Sequence, residues 1–184
     1  MMPDADPAIE IDIRIEAAGW RAMTTPAPDV AEQAVRAALD YTRTGGTALE
    51  LSLLLTDDTA IAALNEQWRG KAGPTNVLSF PGNAPAVDGG SGGSDNMPGD
   101  APVLLGDIVI AFETLTAEAD AAGISPTDHL CHLCVHGVLH LLGYDHENDE
   151  DAAEMESCEI EILGTLGVSD PYAAADRRLE RAAR

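Results

Sequence analysis

The chain has 184 residues, of which 45% are hydrophobic and 4% aromatic, and its formal net charge is −22. This length suits one domain with a sizeable core, and the hydrophobic content excludes a disordered chain. No apolar run is long enough to span a bilayer, and the acidic N-terminus lacks the basic start and apolar stretch of a signal peptide. We therefore expect a single cytoplasmic domain over residues 1–170, with no membrane association, and a charged tail over residues 171–184.

The first half of the chain contains three predicted strands and two predicted helices. Alternation of apolar and polar residues, or short apolar runs, indicates strands at residues 8–15, 48–56 and 76–80. Helices are expected from Asp29 to about Thr42 and over residues 58–68, with Asp29 and the Asp57-Asp58 pair as their caps. The residues expected on the buried face of the first helix are Val30, Ala34, Val35, Ala38 and Leu39.

Residues 82–101 are rich in glycine and proline, so we predict a mobile loop that adds nothing to the core. The loop follows Pro81 directly and could hang over a cleft. The alternative, which we favour, is a tolerated insertion without a function.

The second half of the chain is mainly helical. A fourth strand is predicted over residues 103–111, followed by helices over 112–122, from Ser125-Pro126 to near Gly143, and over 149–164. Strands and helices are mixed without strict alternation. The fold class expected is α+β (α/β-type), a single domain in which helices pack on a small mixed four-stranded sheet.

Three histidines at and just beyond the end of the second of these helices form the most informative pattern. His136 and His140 are four residues apart and so share one face of a helix. Gly143 can end the helix and let the chain return, which brings His146 toward the other two. Three neutral imidazoles with an open fourth position are typical of a catalytic zinc site. Gly137 stands where H-E-x-x-H metalloproteases have their general-base glutamate, which weakens a protease interpretation.

Two further histidines lie on the same helical stripe, so rival ligand sets exist. His132 is one turn before His136 and is less able to reach the same ion, so we expect it beside the ligands or in the core. We expect His129, near the helix start, to be a surface residue.

The chain has three cysteines, an odd number that does not suit a disulfide framework. Cys131 and Cys134 form a C-x-x-C pair. On a helix they point away from the face that carries His136 and His140, so we expect them to pack as small apolar groups.

The histidine run and three shorter blocks together resemble a known family. The blocks are His136–His146, Leu64–Arg69, Pro74–Pro81 and Leu105–Ile110. In their order and rough spacing along the chain they are similar to the YbeY family of bacterial zinc-dependent endoribonucleases, which mature ribosomal RNA, and the similarity covers about residues 8–168. Two departures are Asn76, where many members have aspartate, and the enlarged loop at 82–101.

The resemblance implies a zincin-like metal site at one end of the sheet, with one Zn²⁺ per chain held by His136, His140 and His146. It also implies cleavage of single-stranded RNA in 3′-end maturation of small-subunit ribosomal RNA and in ribosome quality control. The partners implied are ribosomal RNA, the small ribosomal subunit and its assembly proteins, and no DNA is expected.

Arg69 is the candidate catalytic residue. A guanidinium binds phosphate in a bidentate way and could stabilise negative charge in the transition state, and the resemblance also marks this arginine as functional. The alternative is a surface salt bridge.

Four other polar or aromatic residues keep two interpretations each. Asp145 could orient a ligand imidazole or cap the turn. Asn76 and Ser79 could bind substrate or close a turn. Trp68 could stack on a base, although we favour core packing.

The net charge argues against RNA binding, because the chain has ten Lys and Arg residues but 32 Asp and Glu residues. Proteins that bind RNA normally carry a basic surface. Arg69 and Lys71 lie beside the second block, so we expect a local positive groove on an acidic body. The rival functions are a non-catalytic, metal-stabilised ribosome-assembly factor and a metallohydrolase, such as a peptidase, with another substrate.

Overall fold

A computed structural model describes residues 9–42, 48–82, 102–146 and 148–173 of the chain. Within these ranges the strands are β1 (Ile9–Ile15), β2 (Leu49–Thr56), β3 (Val77–Pro81) and β4 (Val103–Ala111). The α-helices are α1 (Ala27–Tyr41), α2 (Asp58–Arg69), α3 (Phe112–Ala122), α4 (Pro126–Leu141) and α5 (Asp149–Thr165). The predicted α+β class with one small mixed sheet is confirmed.

The four strands form one sheet in the order β1-β2-β4-β3. β2 pairs in parallel with both β1 and β4, whereas β3 pairs antiparallel with β4 and lies at an edge. A hydrogen bond joins the end of β3 to the start of β4: the Gly82 amide donates to the Leu105 carbonyl at 2.7 Å. The pairing of β2 with β4 shifts register between Glu50 and Leu51, opposite Leu104 and Gly106.

One face of the sheet carries the main core. Alternate residues of β2 and β4, such as Leu53 and Ile108, pack against α1 and α4 on this face. The predicted buried face of α1 is confirmed, since each of these five residues is buried: Val30, Ala34, Val35, Ala38 and Leu39. The histidine helix α4 is therefore held by the largest apolar cluster of the described residues.

The opposite face of the sheet is covered by α2. Ile61 of this helix packs on Leu78, Val109 and Ala111. Toward β1 the same face forms a groove of about 610 Å³, whose lining includes Arg14, Ser52, Leu54, Trp68, Phe80 and Asp107.

Two of the residue-level predictions about this fold are wrong. Asp29 is not the cap of α1, because the helix begins at Ala27 and Asp29 lies in its first turn. Trp68 is not a core residue, since it is 64% exposed. It lies two turns after Ile61 on the same helical stripe, where its ring makes an edge-to-face contact with Phe80 at a centroid distance of 6.1 Å.

The predicted loop and the predicted C-terminal tail lie mainly outside the described ranges. Of the predicted loop at 82–101 only Gly82 is described, and of the predicted tail at 171–184 only residues 171–173 are described. Within the described part of the chain, no helix combines the length and apolar character needed to cross a bilayer.

Candidate metal centre

The ends of α4 follow from local sequence. Ser125 caps the helix, because its hydroxyl accepts the Asp128 amide at 3.0 Å, and Pro126 occupies the first turn. After the helix, Gly143 adopts a φ of 95°, a left-handed conformation that glycine reaches without strain. The Tyr144 amide then donates back to the Leu139 carbonyl at 3.0 Å, so the chain reverses and His146 returns toward the helix.

The structure brings His136, His140 and His146 together. Each offers one ring nitrogen, and these nitrogens lie within 4.8 Å of one another. The His136 and His140 Nε2 atoms are 3.0 Å apart, and the His146 ring centroid is 5.0 Å from that of His140. His146 is exposed whereas the other two are half-buried, so the group opens to solvent on the His146 side.

The hydrogen bonds of the two helical histidines assign their tautomers. His136 Nδ1 lies 2.7 Å from the Glu159 Oε1 atom, and His140 Nδ1 lies 3.0 Å from the Tyr144 carbonyl oxygen. Both partners are acceptors, so each Nδ1 carries the proton and each Nε2 presents a lone pair.

Two lone pairs that face each other at this distance repel unless a cation lies between them. Zinc–nitrogen bonds of about 2.0–2.1 Å in tetrahedral geometry separate two ligand nitrogens by about 3.3 Å. The observed 3.0 Å between the two Nε2 atoms is close to that separation. The donor set and its orientation therefore fit a zinc ion.

Electrostatics favour the neutral form of His140. Burial lowers the pKa of His140 below its ordinary 6.5, and the nearby His136 and His146 lower it further. Because only a neutral imidazole can bind a metal ion, this shift favours metal binding at neutral pH.

Glu159 of α5 is a residue of this centre that the sequence predictions missed. Its side chain is fully buried, and its carboxylate meets His136 on one oxygen and His132 and Tyr172 on the other. Burial alone raises the pKa of Glu159, but the hydrogen bonds from the two histidines and Tyr172 outweigh it and hold the pKa at about 2. The signal in the sequence was its spacing, since Glu159 falls on the buried stripe of α5 between Met155 and Ile162.

Arg69 is not joined to the histidines. It is the last residue of α2 and is exposed, and its side chain makes no hydrogen bond or ion pair with any residue of the described ranges. A cation is also favourable at a helix C-terminus for electrostatic reasons alone.

Of the other predicted polar residues, Ser79 lies within β3 opposite Ile108, and Asp145 and Asn76 make hydrogen bonds within the protein. Asp145 accepts the His146 amide at 2.7 Å, which supports the turn-capping alternative. Asn76 accepts the Val77 amide at 2.7 Å and donates to Glu118 at 2.9 Å.

Of the predictions for the remaining histidines and cysteines, one is wrong and two are confirmed. The prediction of a surface His129 is wrong: it is 9% exposed, because the start of α4 packs on α3 and the His129 ring lies 2.8 Å from Glu118. His132 lies beside the ligands, at Glu159, as expected. Cys131 and Cys134 are buried thiols, as predicted.

Comparisons with known proteins agree on one family. A family model described as Endoribonuclease YbeY matches residues 14–167. Endoribonuclease YbeY of Rhodospirillum rubrum is 51% identical over 163 residues, which cover 85% of this chain and 78% of the relative. Endoribonuclease YbeY of Rhodopseudomonas palustris strain BisB18 is 47% identical over 166 residues, 90% of this chain and 94% of the relative.

A solved structure supports the fold. The solution structure of protein TM1509 from Thermotoga maritima superposes with a TM-score of 0.53 at 22% identity, covering 91% of this chain and 93% of that one. At this identity the similarity shows the fold alone.

Proposed function

Because the chain belongs to the YbeY endoribonuclease family, we propose that it is a zinc-dependent endoribonuclease that cleaves single-stranded RNA. The observation that carries the proposal is the convergence of the His136 and His140 Nε2 lone pairs, 3.0 Å apart, beside His146. The substrate proposed is the 3′ end of small-subunit ribosomal RNA, with a further role in ribosome quality control. The enzyme would act in the cytoplasm, on the small ribosomal subunit and with its assembly proteins.

His136, His140 and His146 would hold the ion, and His146 leaves the solvent side accessible to a phosphodiester. When bound, zinc supplies Lewis acidity and lowers the pKa of bound water. Glu159 holds the His136 proton at Nδ1 and keeps the ring in place.

Neither position 137 nor Glu159 offers a free carboxylate that could act as the general base of a peptidase. Position 137 is a glycine, and it packs so closely on the sheet that an added Cβ would lie 2.9 Å from the Ile108 Cδ1 atom. The Glu159 carboxylate is buried and already accepts three donors, so it cannot act as a general base. Both features favour a phosphodiester over a peptide as substrate.

Arg69 is proposed as the residue that stabilises negative charge on the phosphate. Its guanidinium is exposed and makes no ion pair within the described residues, so it is free to bind a phosphate in a bidentate way. A local cation is needed because the net charge of −22 repels RNA.

The test combines metal analysis with RNA cleavage. Wild-type protein and His146→Ala are purified identically, with Glu150→Ala, an exposed change at the start of α5, as control. We expect about one zinc per wild-type and control chain, and cleavage of a single-stranded ribosomal RNA fragment at least about 100-fold faster than by His146→Ala.

Other outcomes separate the rival functions. Equal cleavage by wild type and His146→Ala would assign the activity to a contaminating nuclease. Zinc-loaded wild-type protein that cuts no RNA would support the metal-stabilised assembly factor. Cleavage of a peptide library instead of RNA would support the peptidase.

A further inference from the structure

A buried cluster ties the C-terminal segment of the described chain to the metal centre. Tyr172 lies after α5, and its hydroxyl donates to the Glu159 Oε2 atom. The Tyr172 ring packs edge-on against His132 at a centroid distance of 5.7 Å, with its hydroxyl 3.4 Å from His132 Nε2. We refer to Glu159, Tyr172 and His132 as the Glu159 clasp.

The two carboxylate oxygens of Glu159 contact different residues. Oε1 accepts His136 Nδ1 at 2.7 Å, whereas Oε2 meets Tyr172 and, at 3.3 Å, His132. A carboxylate that is fully buried needs donors on both oxygens to offset its desolvation. The weaker of the two Oε2 contacts cannot replace the Tyr172 hydroxyl. The orientation of the Glu159 carboxylate, and with it that of His136, therefore depends on Tyr172.

The same atoms are close enough for a second metal ion, but their hydrogen bonds argue against one. His132, His136 and Glu159 also each offer a ligand atom within 4.8 Å of the others. His136 would then use Nδ1 for that ion, whereas Nδ1 lies at hydrogen-bond distance from Glu159, which accepts Tyr172 as well. The clasp satisfies its own polar atoms and supports the His136, His140 and His146 group from behind.

We propose that Tyr172 is a positioning residue of the metal centre: through Glu159 it fixes the proton on His136 Nδ1 and so raises the affinity for the metal ion. The C-terminal segment that carries Tyr172 is thereby part of the site. This inference rests on the proposed metal centre.

The chain contains a matched pair for comparison. Tyr41 donates to Glu161 at 2.8 Å, and Glu161 lies on the same helix, two residues after Glu159. This second tyrosine–glutamate pair is exposed, and among the described residues neither member forms a hydrogen bond with a histidine. Tyr41→Phe removes a tyrosine hydroxyl from a glutamate of the same helix without touching the clasp.

The experiment measures zinc affinity by competition with a chromogenic chelator, at a temperature where circular dichroism shows every variant to be folded. The variants are Tyr172→Phe, Glu159→Gln, their double mutant, and Tyr41→Phe. We expect Tyr172→Phe to weaken zinc binding about threefold to tenfold, Glu159→Gln to weaken it about tenfold to 100-fold, and Tyr41→Phe to leave it unchanged. Because Tyr172 acts through Glu159, the double mutant should bind no more weakly than Glu159→Gln.

Unchanged affinity in Tyr172→Phe would overturn the proposal, even if its thermal stability fell, because a structural role alone lowers stability and not affinity. An equal loss in Tyr172→Phe and Tyr41→Phe would also overturn it. If Glu159→Gln does not fold, Tyr172→Phe and Tyr41→Phe still decide. Equal zinc affinity in wild type and His136→Ala would instead sink the metal centre itself, and the inference with it.

Discussion

At the scale of single residues, protonation decides whether the histidine group can bind a metal ion. Burial and the neighbouring imidazoles lower the pKa of His140 below 6.5. In the metal-free protein, His140 therefore stays neutral to a lower pH in the folded state than in the unfolded state. The stability that this neutral form supports is complete above pH 6.5 and is lost as pH falls through the lowered pKa.

The first prediction concerns the pH dependence of metal binding. Zinc affinity should be nearly constant from pH 8 to 7 and should fall at least tenfold by pH 5, because each ligand histidine must lose its proton to bind. Chelator competition at each pH measures it, with the proton affinity of the chelator taken into account. Constant affinity from pH 8 to 5 would exclude a three-histidine site.

A second prediction concerns Arg69. Arg69→Ala should lower RNA cleavage by about tenfold to 1,000-fold, because a cation is removed from the developing charge, and should leave zinc content unchanged. Arg69→Lys should recover part of the activity, since it restores charge without the bidentate geometry. Arg36→Ala, which removes an exposed arginine that pairs with Glu32 on α1, is the control. Full activity of Arg69→Ala would remove this residue from the mechanism.

A third prediction concerns Trp68, whose exposure makes base stacking the stronger of its two interpretations. Trp68→Ala should weaken binding of single-stranded RNA by about 1–3 kcal/mol and leave the melting temperature nearly unchanged. Tyr41→Ala, another exposed aromatic residue, is the control for lost surface area. A large drop in stability without loss of RNA binding would return Trp68 to a structural role.

Whether a contact in the centre could be predicted depends on how far apart in sequence its two residues lie. The three histidines lie within one helix and the turn after it, so helical spacing and a glycine stop were sufficient to predict that they meet. Glu159 lies 23 residues from His136. Its place on the apolar stripe of α5 predicts that it is buried, but no local spacing specifies that it meets His136. Tyr172 is further along still, and its role follows only from the packing of the C-terminal segment on α5.

At the scale of elements, strands and helices were predictable wherever apolar periodicity was strong. Each predicted strand and helix is present, with ends shifted by at most two residues. The short 3₁₀ helix at Ala18–Ala22 was not predicted, since it is too brief to show a period, and it buries Trp20. The start of α1 was misplaced because Pro28, whose φ suits the first helical turn, lets the helix begin before Asp29.

The fourth prediction concerns the join between β3 and β4. Gly106 has a φ of 139°, and an added Cβ would lie 2.2 Å from the Phe80 carbonyl oxygen, a backbone atom that cannot move alone. Gly106→Ala should therefore lower the free energy of unfolding by more than about 2 kcal/mol. Gly164→Ala is the matched control, because Gly164 lies in α5 with no atom near its would-be Cβ, and it should stabilise by up to about 1 kcal/mol. Urea unfolding of both variants measures these free energies. Equal effects would contradict the close approach of Gly106 to the Phe80 carbonyl.

At the scale of the whole molecule, the histidine helix connects the candidate metal centre to global stability. α4 packs on α1 and on the sheet, and Glu159 of α5 reaches its histidines. An ion that binds only when these parts are assembled stabilises the folded chain as a unit.

The fifth prediction follows from this linkage. Free zinc at about 100 times its dissociation constant should raise the free energy of unfolding by about 2.7 kcal/mol, and EDTA should reverse the effect. Chemical unfolding with and without zinc measures it. His146→Ala should show little of this stabilisation, and an equal gain in that variant would place the stabilising ion elsewhere.

The hydrogen bond from Gly82 to Leu105 bears on how well the protein tolerates insertions between β3 and β4. It fastens the end of β3 to β4, so the positions where the chain leaves and re-enters the sheet are set by the strands themselves. The entropy of closing a loop between two fixed ends grows only with the logarithm of its length, about 0.6 kcal/mol for each doubling. Segments of very different length can therefore join these strands at little energetic cost, and we expect a peptide tag inserted between them to leave the packing of the histidine helix unchanged.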